Sequence, residues 1–134
     1  MTGEHDLKQL LSGMSPLLDS ETYVFVTLPN HEIPSGLTPR MTMQEGEGTT
    51  IVITEKAANA AKLAYVFPCR MITLDVHSAL DAVGFLARVT TRLANLGIGV
   101  NPVAGYFHDH LFVAAERADD AMRALLELAR EARG

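Results

Sequence analysis

Residues 71–132 read as strand, helix, strand, strand, helix, and residues 22–67 offer nearly the same order of elements. That near-repetition restricts the fold more than any single motif. In the second half, Met71-Ile72-Thr73-Leu74-Asp75-Val76 alternates, with Ile72, Leu74 and Val76 on one side. Ser78 stands three residues before Asp81, a capping-box spacing with Asp in place of Glu. The spacing predicts a helix from Ser78 to about Leu96, burying Leu80, Val83, Leu86, Ala87, Thr90, Leu93 and Ala94 and stopped by Gly97. Strands are predicted over Ile98–Tyr106 and Leu111–Glu116, joined through Phe107-His108-Asp109-His110 with Asp109 at the hairpin tip. A last helix over Ala118–Ala132 buries Ala121, Met122, Leu125, Leu128 and Ala129.

The first half is preceded by an amphipathic stretch, His5–Leu18, whose Leu7, Leu10, Leu11, Met14 and Leu18 share a helical face. Pro16 ends that helix or lies just past it. Thr22–Leu28 is β-branched and aromatic, apolar on both sides, and suits a central strand covered on both faces. Pro29–Pro39, rich in proline, is a long loop where the second half has a helix. Residues 40–45 and 49–53 form a hairpin around Gly46-Glu47-Gly48, Thr54 caps a short helix from Glu55 to Lys62, and Leu63–Phe67 is a strand punctuated by Pro68. The whole reads as α+β: two ferredoxin-like βαββαβ repeats, residues 1–68 and 69–134, with antiparallel sheets and helices on one face. The second repeat lacks a final strand, and a strand exchanged from the first is the economical repair.

Composition narrows the function. A chain of 134 residues holds one ordinary domain or two small ones sharing a core. Eleven Lys and Arg against sixteen Asp and Glu give −5, and no basic cluster occurs, so nucleic acid is a poor partner. A single cysteine, Cys69, excludes an internal disulfide and a multi-thiolate metal site, and reads as a small buried hydrophobe. No apolar run approaches the roughly 18 residues of a membrane span. The acidic start Glu4-His5-Asp6 is unlike a secretory signal, so a soluble cytoplasmic protein is expected. Neither a phosphate-binding glycine loop nor a nucleophile elbow is present, and Gly97-Ile98-Gly99 follows a helix where a nucleotide fingerprint would precede one.

Val76-His77-Ser78-Ala79-Leu80-Asp81-Ala82-Val83-Gly84, Leu96-Gly97-Ile98, Asn101 and Ala104-Gly105-Tyr106-Phe107-His108-Asp109-His110-Leu111-Phe112-Val113 together resemble the small tandem ACT-domain proteins of bacteria. The likeness runs from about His5 to Glu131, and extends to the regulatory end of aspartate kinases and to cytosolic arginine sensors. It implies a non-catalytic regulatory module, without cofactor, that binds an amino acid or related carboxylate between paired domains, with a homodimer as the expected assembly. Many ACT domains place a glycine directly after the first strand; here His77-Ser78-Ala79 stands there, and the nearest glycine is Gly84.

Against that background the candidate site residues have two readings each. His77, Ser78, Ala79 and Leu80 lie at a predicted helix start, whose free amides suit a carboxylate, or Ser78 merely caps the helix. Asn101 is an unusual strand residue: it contacts the ligand, or it fills the gap left by Pro102, which has no N–H. His108-Asp109-His110 has the look of a metal pair, but turn formation explains Asp109 and no metal site is expected. Tyr106 and His108 are instead placed at the seam or against the ligand. Asn30 and His31, the first-half counterparts of the His77 region, either close over the same seam or sit on a mobile surface loop. No catalytic residue is assigned. The alternative to a sensor is an assembly module that dimerises without a ligand.

Overall fold

A computed structural model describes residues 3–134. Its elements are α1 (Leu7–Gly13), β1 (Ser15–Leu28), β2 (Met41–Glu45), β3 (Gly48–Thr54), α2 (Glu55–Ala60), β4 (Val66–Asp75), α3 (Phe85–Asn95), β5 (Val100–Ala104), β6 (Asp109–Ala114) and, after a 3-10 turn over Ala115–Arg117, α4 (Ala118–Arg133). They divide into two compact units. The larger combines the described residues up to Ser20 with Arg70–Gly134, and the smaller is Glu21–Cys69. Grouping by packing therefore places α1 with the second half of the chain.

In the larger unit β4 lies between β1 and β6, with β5 outermost. The β5–β6 pair is antiparallel, in a register that sets Asn101 opposite Phe112 and Ala104 opposite Asp109. Helices α1, α3 and α4 supply the apolar layer: Leu10 and Leu11, then Phe85, Val89 and Leu93, then Ala121, Leu125 and Leu128 join Ile72, Leu74, Leu111 and Val113 in one core. The spacing 85, 89, 93 is one helical stripe. On α4, Asp119 and Asp120 stand in the first turn and Arg130 and Arg133 in the last, each favourable to the helix dipole. Arg92 of α3 pairs with Glu131 of α4; its hydrogen bond holds the Glu131 carboxyl below the usual carboxylate range.

In the smaller unit β3 lies between β2 and β1, all antiparallel, and the β2–β3 hairpin closes with Glu45 opposite Gly48. Val24, Val26, Leu28, Ile51 and Ile53 face Ala58 of α2. The Thr54 hydroxyl accepts from the Ala57 amide at 3.1 Å, the cap its position predicts. β1 is buried on the Val24 side, while on the other Tyr23 is buried, Phe25 half-buried and Thr27 exposed. Cys69 is buried and donates to the Tyr23 carbonyl at 3.4 Å; burial pushes its thiol up to about 12, so it stays protonated at neutral pH.

Four expectations are corrected. The first helix ends at Gly13: Met14 has ψ 128°, and Ser15, Pro16, Leu17 and Leu18 begin β1, because the residues around a proline favour extended backbone. Residues 63–67 and 71–76 do not form separate strands: β4 starts at Val66 and runs through Pro68, with Phe67 at φ 60° just before it. The helix expected from Ser78 begins at Phe85, and Ser78 does not cap it. Asp109 is the first residue of β6, buried and paired with Ala104, so it is not at the hairpin tip. No helix among the described residues is long and apolar enough to cross a membrane.

Candidate functional site

Between β4 and α3 the chain makes an irregular turn, residues 77–84, whose backbone bonds are few. The Ser78 amide donates to the Val76 carbonyl at 3.0 Å and the Ala82 amide to the Ala79 carbonyl at 3.0 Å. The turn delivers Gly84 at φ 92°, a left-handed conformation that glycine adopts without penalty. From there α3 begins with the Arg88 amide on the Gly84 carbonyl, at 3.0 Å, and no side chain caps it. The amides of Phe85, Leu86 and Ala87 thus have no partner within the helix and carry its partial positive charge.

The residues that carry them, Phe85, Leu86 and Ala87, are among those that line a cavity of about 140 Å³. Ser78, Ala79, Leu80 and Ala82 of the turn, Gly84 to Ala87 of α3, and Ala104 and Asp109 of the β5–β6 hairpin line it. Asp109 is 7% exposed. Its Oδ2 accepts from the Ser78 hydroxyl at 3.1 Å, and among the described residues it has no ion pair. A buried carboxylate without a counter-charge is costly, which makes this end of the cavity a place for a cation. One wall therefore favours an anion and the other a cation.

An N-terminal strap fastens the turn from outside. The Glu4 amide donates to the His77 carbonyl at 2.7 Å, the Ala79 amide to the Glu4 carbonyl at 3.0 Å, and His5 Nε2 meets Asp81 Oδ1 at 2.7 Å. Gly3, at φ 102°, passes so close that a Cβ there would lie 2.7 Å from the Ala79 nitrogen. Gly3→Val is expected to lift the strap, costing about 1–3 kcal/mol and speeding hydrogen exchange at the Ala79 amide. Unchanged exchange at Ala79 would show that the strap does not hold the turn.

Of the residues expected at a site, Ser78, Ala79 and Leu80 line this cavity, and His77, Tyr106, His108 and Asn101 do not. The His77 ring packs on Phe107 at 5.3 Å and Tyr106 at 6.5 Å between centroids, and its buried Nε2 has no hydrogen-bond partner among the described residues. His108 Nδ1 donates to the Val76 carbonyl at 3.3 Å, and its Nε2 lies 3.6 Å from Asp75. His110 Nδ1 meets the Thr73 hydroxyl at 2.9 Å, so the side chains of residues 108–110 take separate partners. Among the described residues no three His, Cys, Asp or Glu are grouped to hold a metal. Asn101 is exposed on β5. Asn30 and His31 belong to the smaller unit, where the Asn30 side chain accepts from the Glu32 amide and His31 Nδ1 lies 3.0 Å from both Gln44 and Thr49.

Residues missed in the sequence were Asp109, Ala82, Ala104 and the α3 amides. A signal existed for Asp109: it alternates with Leu111 and Val113 on the buried face of β6.

Two family models match the chain, both for the ACT domain, over residues 2–70 and 66–127. The chain belongs to the ACT-domain family. It is a tandem ACT protein, α+β with antiparallel strands and helices, of ferredoxin-like type. It is similar to a Vibrio cholerae protein of unknown function described as a possible transport protein, at 43% identity over 92% of this chain and 95% of that one, with TM-score 0.82. An Agrobacterium tumefaciens protein shares the fold at 18% identity, TM-score 0.74, covering 87% and 89%. So does the regulatory subunit of aspartate kinase from Thermus flavus, at 12% identity, TM-score 0.63, covering 84% and 95%. No curated protein matches the chain.

Proposed function

We propose that this ACT protein is a non-catalytic regulatory binder of a free amino acid, held in the cavity at the start of α3. The ligand carboxylate lies on the amides of Phe85, Leu86 and Ala87, and its ammonium on Asp109. The observation that carries the reading is the juxtaposition, at one small cavity, of an uncapped helix start and a buried carboxylate that has no ion pair among the described residues. Those are the two ends of a zwitterion. Ser78 positions the acceptor by donating to one carboxylate oxygen, leaving the other for the ligand. The likeness to an aspartate kinase regulatory subunit agrees with a regulatory role.

Nothing lining the cavity suggests turnover. Among the described residues that line it, Ser78 alone carries a hydroxyl, that hydroxyl donates to a carboxylate, and none is a histidine. Regulation follows from the ligand favouring one arrangement of the 77–84 turn. Calorimetry across the amino acids tests the reading. At least one is expected to give saturable heat, abolished by Ala82→Trp, which fills the cavity. Heat from none of them, with the protein folded, would end it.

A further inference from the structure

We propose that the contact between the 77–84 turn and the tip of the β5–β6 hairpin is a pH-sensitive latch. It is closed while His77 is neutral and released when that ring takes a proton. Three of the chain's five histidines meet on residues 75–81, from the strap, the turn and the hairpin. At the tip, residues 105–108, the Tyr106 and Phe107 rings lie 4.9 Å apart and both pack on His77. They are 63% and 59% exposed, so they can lift from His77 without opening the core. The His77 Nε2 is buried and has no hydrogen-bond partner among the described residues. In a neutral ring that nitrogen is the unprotonated one, and Nδ1 carries the proton. Protonation puts an N–H and a share of positive charge at Nε2, where no described residue accepts. A buried charged donor left unpaired is costly, and moving out to water relieves it. The titratable groups around His77 are Glu4 and His5 of the strap, Asp75 of β4, Asp81 of the turn, and Tyr106 and His108 of the hairpin. Protonated, His5 and His108 pair with Asp81 and Asp75, at 2.7 and 3.6 Å, and so oppose release. Both pairs reach solvent and are weak, whereas the His77 nitrogen is buried. Release wins. The same turn carries Ser78 and Ala79 into the cavity wall, so acid loosens that wall whatever the cavity binds.

The test is nuclear magnetic resonance on the full chain at about pH 7.5 and about pH 5.5, one unit either side of the ordinary histidine value of about 6.5. The released form binds one proton more than the closed one, so the contact is intact above that range and weakens as pH falls. Proton contacts between the His77 and Phe107 rings are expected at the higher pH and lost at the lower. The Gly105 amide, which donates to the His108 carbonyl at 2.9 Å across the tip, reports the same release. Its exchange protection, corrected for the intrinsic rate, is expected to fall about tenfold, the limit for one proton over one pH unit. His77→Phe keeps a ring on Phe107 without a titrating nitrogen and is expected to stay protected at both pH values. His5→Gln and His108→Gln are expected to lose protection as the natural chain does. Ring contacts that persist in the natural chain at the lower pH would overturn the inference, even where His77→Phe fails to fold. So would an equal loss of protection in His77→Phe, or its disappearance in His108→Gln.

Discussion

Asp109→Asn is expected to fold like the natural chain and to bind amino acids about a hundredfold more weakly. Asparagine keeps an oxygen for the Ser78 hydroxyl, which Asp109 accepts at 3.1 Å, so the wall of the cavity is preserved. What disappears is the charge opposite the ligand ammonium. Loss of one partner from a buried, hydrogen-bonded charge pair costs about 2–5 kcal/mol, and 1.4 kcal/mol is tenfold in affinity. The unliganded protein should not suffer comparably, because among the described residues Asp109 has no ion pair to lose. A neutral residue is even expected to relieve the cost of a buried carboxylate. The pattern sought is thus unchanged or raised stability in urea, with affinity lost in calorimetry. Equal loss of both would make Asp109 a structural residue.

Gly48→Val is expected to be the most destabilising single change in the smaller unit, at about 3 kcal/mol or more. Gly48 ends the β2–β3 turn at φ 155°, where side chains are strained. An added Cβ would lie 2.7 Å from the Leu28 carbonyl oxygen and 3.0 Å from the Pro29 Cα, both backbone atoms that no rotamer change can move. Relief would require β3 to shift against β1, breaking the register that pairs Leu28 with Thr49. Gly46→Val, on the same turn with nothing within 4 Å of its Cβ, is the control and should cost far less. Urea unfolding of the two variants separates the claims: similar midpoints would contradict the close approach.

Where local chemistry and burial agree, the sequence was readable. The hairpin around residues 46–48, the Thr54 cap and the α4 stripe of Ala121, Leu125 and Leu128 all follow from spacing and turn chemistry. The start of α3 misled because two signals competed. Ser78 and Asp81 copy a capping box, yet the Ser78 hydroxyl is turned to a carboxylate thirty-one positions away, a partner invisible in local spacing. Starting the helix there set its stripe out of phase. Val83, placed on the buried side, is 85% exposed, while Phe85 and Val89 form the real stripe with Leu93. The same long-range contact hid the role of Asp109, whose composition alone speaks for a turn. The segment was therefore legible as a candidate site through its ACT resemblance, and its cavity only through tertiary packing.

The most direct measurement is a titration of isotope-labelled protein with an amino acid that gives saturable heat, following backbone amide resonances. If a carboxylate sits on the start of α3, the amides of Phe85, Leu86 and Ala87 move most and saturate together, and Asp109→Asn abolishes the movement. Saturable binding that leaves those three amides still, and shifts others instead, would contradict the account.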